Sequence, residues 1–127
     1  MTKFGDFYLC KECKQVVFVA VPGAQSLNCC GEDMTRLEAK TEDMGKEKHV
    51  PVIVPDGDRT VIKIGSVPHP MTQEHHIALI EIVRKDGKVG MASLDPTGAP
   101  EAVFNIKADE IEDVYEYCNI HGLWKTK

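Results

Sequence analysis

Four of the five cysteines in this 127-residue chain stand before residue 31, and all five histidines stand after residue 48. Thiolate and imidazole are the side chains that most readily hold transition metals. Their segregation predicts two sites of different chemistry in two modules. The polar run from Glu38 to Gly45 reads as the linker between them. This gives a small module over residues 1–37 and a larger domain over residues 38–127. The first is too short to bury an ordinary core, so metal and subunit contacts have to supplement it.

Composition narrows the class. An apolar share of 43% is that of a globular chain. A formal net charge of −5 argues against nucleic acid or an anionic membrane as the main partner. No stretch approaches the roughly 20 apolar residues of a membrane helix. Met1 to Tyr8 has no apolar signal core. A cytoplasmic location is therefore expected, where thiols stay reduced and cysteines are better read as ligands than as disulfides.

The remainder reads as strands. Gln15 to Val21 is apolar and β-branched. Val50–Val54 and Thr60–Ile64 flank the turn Asp56-Gly57-Asp58, and His76–Val83 and Lys88–Leu94 flank Asp86-Gly87, two hairpin signals. Glu101–Lys107 and Val114–Cys118 follow. Between His76 and Val83, Ala78, Ile80 and Ile82 share one face and Ile77, Leu79 and Val83 the other, which suits a central strand. A helix around Asp109–Tyr117 is disfavoured by its β-branched and aromatic residues. Short strands with regular turns indicate an all-β sandwich.

Cys10-Lys11-Glu12-Cys13 is a C-x-x-C knuckle, a spacing that lets two sulfurs converge on one metal. Its partner pair, Cys29-Cys30, is adjacent. Neighbouring side chains normally diverge, so chelation by both demands a distorted tetrahedron, and Gly31 supplies backbone freedom there. Zinc and iron both accept four thiolates, and a knuckle that only folds a small module has the same spacing.

The second constellation is His49, His69, His75, Cys118 and His121. His49 precedes Val50-Pro51, and His69 lies between Pro68 and Pro70. Proline stiffens its own backbone and that of the residue before it, which suits a preorganised site. His75 and His76 are adjacent and would face opposite ways on a strand, so one of them is expected to bind. His121 follows Cys118 by three residues and precedes Gly122. Glu47 and Lys48 stand beside His49. In a regular strand Lys48 would point away from His49, so any role for Lys48 requires a loop there, as Gly45 permits.

Together these motifs resemble those of a desulfoferrodoxin, the two-centre form of superoxide reductase. The matching residues are Cys10-x-x-Cys13 with Cys29-Cys30, Glu47-Lys48-His49-x-Pro51, His69-Pro70-Met71 with His75, and Cys118-Asn119-x-His121-Gly122. The resemblance runs from about Tyr8 to the C-terminus. It implies a desulforedoxin-like, rubredoxin-like metal knuckle followed by an immunoglobulin-like β-sandwich. It implies two mononuclear irons per chain: one held by Cys10, Cys13, Cys29 and Cys30, the other by His49, His69, His75 and His121 in a plane with Cys118 axial. Glu47 and Lys48 would lie over the sixth position as catalytic residues. The implied reaction is one-electron reduction of superoxide to hydrogen peroxide, with an external donor such as rubredoxin and a homodimeric assembly. His76 falls where the family often has an aromatic residue, and Ala78-Leu79-Ile80 replaces a tryptophan-bearing stretch.

The main rival reading is a non-enzyme, a metal-binding or electron-transfer module with a structural four-cysteine zinc or iron site. It leaves the histidines unexplained. A cupin-type dioxygenase would place a carboxylate in the metal shell and would not need Cys118.

Overall fold

A computed structural model describes residues 1–43 and 48–126. The chain divides into two compact units, Met1–Glu38 and Ala39–Lys127. No helix among the described residues is long and apolar enough to cross a membrane.

The first unit is built from very short strands. β1 (Phe7–Leu9) pairs antiparallel with β2 (Val16–Phe18) and with β5 (Thr35–Arg36), while β3 (Asn28–Cys29) and β4 (Glu32–Asp33) form a separate hairpin. Its buried apolar content is small: Phe7, Val19 and Cys10. The Phe18 ring sits 5.2 Å from that of Phe7 and 5.9 Å from that of Phe4. The strand expected over Gln15–Val21 shrinks to three residues.

Among the described residues the second unit is a seven-stranded sandwich. β6 (Pro51–Asp56), β7 (Arg59–Ile64) and β10 (Glu101–Phe104) form one sheet in the order β10-β7-β6. β8 (Ile77–Arg84), β9 (Val89–Ser93), β11 (Ile111–Cys118) and β12 (Gly122–Lys125) form the other, in the order β12-β11-β8-β9. Both expected hairpins form, with Gly57 and Gly87 at positive φ. Alternation does the rest. Ile62 and Ile64 point inward from β7 to meet Ile80 and Ile82 of β8 and Val114 of β11, and buried Thr60 on the same face donates to Ile106 O at 2.7 Å. Asp109 lies in a single 3-10 turn, Ala108–Glu110, after which the chain is strand to Cys118. β12 had no counterpart in the sequence reading.

One local irregularity matters for the site. Tyr117 is opposite Leu79, but Cys118 is opposite Ile77, so Ala78 is the extra residue of a bulge. The bulge turns Ile77 inward to join Ile80 and Ile82 in the core. The sequence had placed Ile77 on the opposite face, because strict alternation does not anticipate a bulge.

Two buried carboxyl groups also sit in this sheet. Glu81 is 1% exposed and Glu116 0%. Glu81 lies opposite Tyr115 on β11 and Met91 on β9, and Glu116 lies between Ile80 and Trp124. Glu81 Oε2 and both Glu116 carboxyl oxygens have no hydrogen-bond partner among the described residues. Burial raises Glu81 to about 7. Burial, and secondarily the charge of Asp43, raises Glu116 to about 9.

For Glu81 the sign of the pH effect follows. The folded state keeps its proton between about 4.5 and about 7, where the unfolded chain has lost it. The cost of ionising the buried group is absent below that window, grows through it, and is complete above it. Glu81→Gln removes this cost. The melting temperature of the variant relative to the native chain is expected to rise between pH 5 and pH 8, by roughly 3–6 °C. A difference independent of pH would contradict the buried placement of Glu81.

Candidate metal centres

The four cysteines of the first unit converge. Their sulfurs all lie within 4.8 Å of one another. Cys13 Sγ is 3.6 Å from Cys29 Sγ, and Cys29 Sγ is 3.9 Å from Cys30 Sγ. A tetrahedral ion with metal–sulfur bonds of about 2.3 Å has sulfur–sulfur edges of about 3.8 Å, so the cradle has the right size. The knuckle closes through Lys14, at φ 70°, whose N–H donates to Cys10 O at 2.8 Å. The adjacent pair converges for a reason the sequence reading gave only in part. Cys30 itself is left-handed, at φ 54°, and Gly31 follows at φ 78°.

The thiols influence one another strongly. The Cys13 backbone N–H brings Cys10 down to about 7. Hydrogen bonding to Cys10 and Cys13 pushes Cys29 up to about 12, and Cys30 also rises. Four sulfurs this close cannot all ionise unless a cation compensates them.

The second constellation forms at one end of the sandwich. The segment before β6, the β7–β8 connection and the β11–β12 turn all leave that end. They carry His49, then His69 and His75, then His121, while Cys118 is the last residue of β11. The five donor atoms lie within 4.8 Å of one another. His49, His69 and Cys118 are 3%, 3% and 0% exposed. The four rings form a closed cycle. Centroid separations are 4.6 Å from His49 to His69, 4.8 Å on to His75, 5.0 Å on to His121 and 4.9 Å back to His49. Successive planes cross steeply, at 63° to 87°.

Such a cycle is the arrangement of four imidazoles around one ion. Neighbouring nitrogens about 2.1 Å from a metal and at right angles are about 3.0 Å apart, and His49 Nε2 and His69 Nε2 are 3.0 Å apart. Cys118 Sγ lies 3.7 Å from His69 Nε2 and 3.9 Å from His121 Nδ1. Five donors exceed the tetrahedral set of structural zinc. Of the adjacent histidines, His75 joins the cycle and His76 does not; His76 Nδ1 lies 2.9 Å from Thr72 O.

Each donor is held from behind. His69 Nδ1 is 2.7 Å from Pro70 O, which orients its ring. His75 N–H donates to Thr72 Oγ1 at 3.1 Å. Asn119 clamps two loops together: its Oδ1 accepts from His76 N–H at 2.9 Å and its Nδ2 donates to Glu74 O at 3.0 Å. Asp43 Oδ1 accepts from the N–H groups of His49 and, at 3.0 Å, Val50. The His121 N–H donates to Cys118 Sγ at 3.4 Å, favouring the thiolate. Lys48 and His49 lie outside any strand, since β6 begins at Pro51. This is the loop that Lys48 requires. Gly65, at φ +82°, makes room for it: a Cβ there would meet Lys48 O, and would come within 2.7 Å of Val67 O. Glu47 lies outside the described residues. Asp43, Gly65, Thr72, Asn119 and Trp124, whose indole stacks on the His49 ring at 4.6 Å, are supporting residues without an assigned role in the sequence. Only Asn119, inside the Cys118–Gly122 motif, carried a local signal.

A small four-thiolate unit followed by a β-sandwich with a four-imidazole, one-thiolate ring defines a two-centre metalloprotein. The desulfoferrodoxin family model matches residues 41–127 and the desulfoferrodoxin N-terminal domain model matches residues 2–37. The chain is 44% identical over 126 residues to a desulfoferrodoxin homolog of Archaeoglobus fulgidus, covering 99% of each. It is 39% identical over 105 residues to a superoxide reductase of Pyrococcus abyssi, covering 69% of this chain and 91% of that one. The crystal structure of the superoxide reductase from Treponema pallidum aligns with a TM-score of 0.77 at 36% identity, over 96% of this chain and 97% of that one. The chain belongs to the desulfoferrodoxin family.

If Cys118 is the sulfur donor at the five-donor centre, Cys118→Ser should abolish a thiolate-to-ferric visible band there. The separate band of the four-cysteine centre should persist. Survival of both bands in the iron-loaded variant would remove Cys118 from the ligand set.

Proposed function

We propose that this chain reduces superoxide to hydrogen peroxide at the five-donor centre. The observation that carries the reading is the closed ring of His49, His69, His75 and His121 joined by buried Cys118. Ferrous iron bound there supplies the single electron that superoxide requires. In the net reaction one superoxide takes up one electron and two protons and leaves as hydrogen peroxide.

The protein's own contribution is coordination, charge and access. His49, His69, His75, His121 and Cys118 would hold one iron ion, which would supply the one-electron chemistry there. The Cys118 thiolate is the electron-rich donor of the set and favours electron release from the iron, as thiolates do in haem proteins. Its placement at 0% exposure keeps the sulfur from solvent and oxidants. Lys48 attracts the anionic substrate toward a chain of net charge −5. Lys48 would also orient the water that delivers the protons, while Glu47, for which the family resemblance implies a catalytic role, lies outside the described residues. The four-cysteine centre carries the second iron. A rubredoxin-like one-electron donor restores the ferrous state, and the chain works as a cytoplasmic homodimer. The family match supports the second iron and the donor, the small core of the first unit supports a subunit contact, and the reduced-thiol reading of the cysteines supports the location.

Lys48→Ala is expected to slow the reaction with superoxide by about tenfold at low salt and to flatten its ionic-strength dependence. Pulse radiolysis or stopped-flow mixing across a salt series reads both. An unchanged rate and salt slope would contradict the role of Lys48.

A further inference from the structure

Lys40 stands at the beginning of the second unit, far in sequence from the other residues of the site except His49. Its backbone extends the sheet: Lys40 N–H donates to Leu123 O at 3.0 Å, and Lys125 N–H donates to Lys40 O at 2.9 Å. This parallel bridge puts Lys40 beside Trp124, the single tryptophan of the chain. The Lys40 ammonium lies 5.1 Å from the centroid of the indole. The indole in turn stacks on the His49 ring at 4.6 Å and 11°. An ammonium, an indole and a ligand imidazole therefore lie in succession.

The same two side chains hold a second ligand. Lys40 Nζ donates to His121 O at 3.0 Å, and the Trp124 indole N–H donates to the same carbonyl at 3.1 Å. His49 comes from the beginning of the unit and His121 from its end. Trp124 touches both, and Lys40 holds the Trp124 ring and the His121 carbonyl. Trp124 is 5% exposed, and Lys40 is exposed.

The geometry points to a further role for these residues: Lys40 and Trp124 form a bracket that positions His49 and His121 together and places a positive charge behind the His49 ring, raising the reduction potential of the five-donor centre. A nearby cation disfavours the more highly charged ferric state relative to the ferrous one. It also opposes the negative Asp43 carboxylate bound to the His49 backbone. The bracket biases the resting centre toward the form that reacts with superoxide. Both are positioning residues and neither touches the substrate.

The inference rests on iron being held by the five donors. It is tested by redox titration of the full-length, iron-loaded protein and its Lys40→Met and Lys40→Arg variants. The bridge to β12 uses only the backbone of Lys40, so substitution of this exposed side chain leaves it intact. Lys40→Met is expected to shift the ferric-to-ferrous ratio at a fixed poise by about threefold toward ferric. That is a midpoint lower by about 30 mV, at 59 mV per tenfold for one electron. Lys40→Arg keeps the charge and the donors and should stay at the native value, and the four-cysteine centre should not move in either variant. An unmoved midpoint in Lys40→Met, or an equal fall in both variants, would overturn the bracket. The visible thiolate-to-iron band separates this from a failure of the site itself: its absence in the native protein would contradict the five-donor iron and not the bracket alone.

Discussion

Five donor atoms within 4.8 Å of one another set the terms for the second unit. Close-packed lone pairs repel unless a cation sits among them, so the protein has to hold the donors together by contacts made elsewhere. That work falls to backbone and outer side chains. Asp43 ties down the His49 segment, Thr72 the His75 turn and Pro70 O the His69 ring. Asn119 joins the His75 loop to the Cys118 turn. The sandwich supplies the rigid frame, because the three connections that carry the histidines leave the same end of its two sheets.

The core and the site are continuous at Cys118. Val114, Glu116 and Cys118 share one face of β11, and the bulge at Ala78 brings Ile77 alongside the thiol. Packing that stabilises the sandwich therefore also fixes the sulfur. The first unit solves a different problem. Its buried apolar groups are few, so four thiolates around a cation take the place of a core.

Much of this was legible in the sequence, and the reasons differ by residue. The two donor clusters were readable because metal chemistry restricts both residue type and spacing: Cys10-x-x-Cys13, the prolines around His69, and Cys118-x-x-His121. The two hairpins were readable from Asp-Gly turns. What escaped depends on register or on distant contacts. Ile77 was assigned to the wrong face because one bulged residue reverses alternation. β12 was missed because Gly122-Leu123-Trp124-Lys125 is short and follows a ligand turn. Glu81 and Glu116 look like solvent-facing residues in a strand, and only the pairing of β8 with β9 and β11, and of β11 with β12, places them inside the sheet where they are buried. Asp43, Gly65 and Lys40 act on residues brought near by the fold, and no local pattern marks them.

The central claim is that the five-donor centre gives superoxide an electron and does not take one from it. Product stoichiometry tests this most directly. Pre-reduced, iron-loaded protein mixed anaerobically with a limiting amount of superoxide should yield one hydrogen peroxide for each superoxide consumed, with no dioxygen released. One hydrogen peroxide for every two superoxides, with dioxygen evolved, would mean dismutation and would contradict the account.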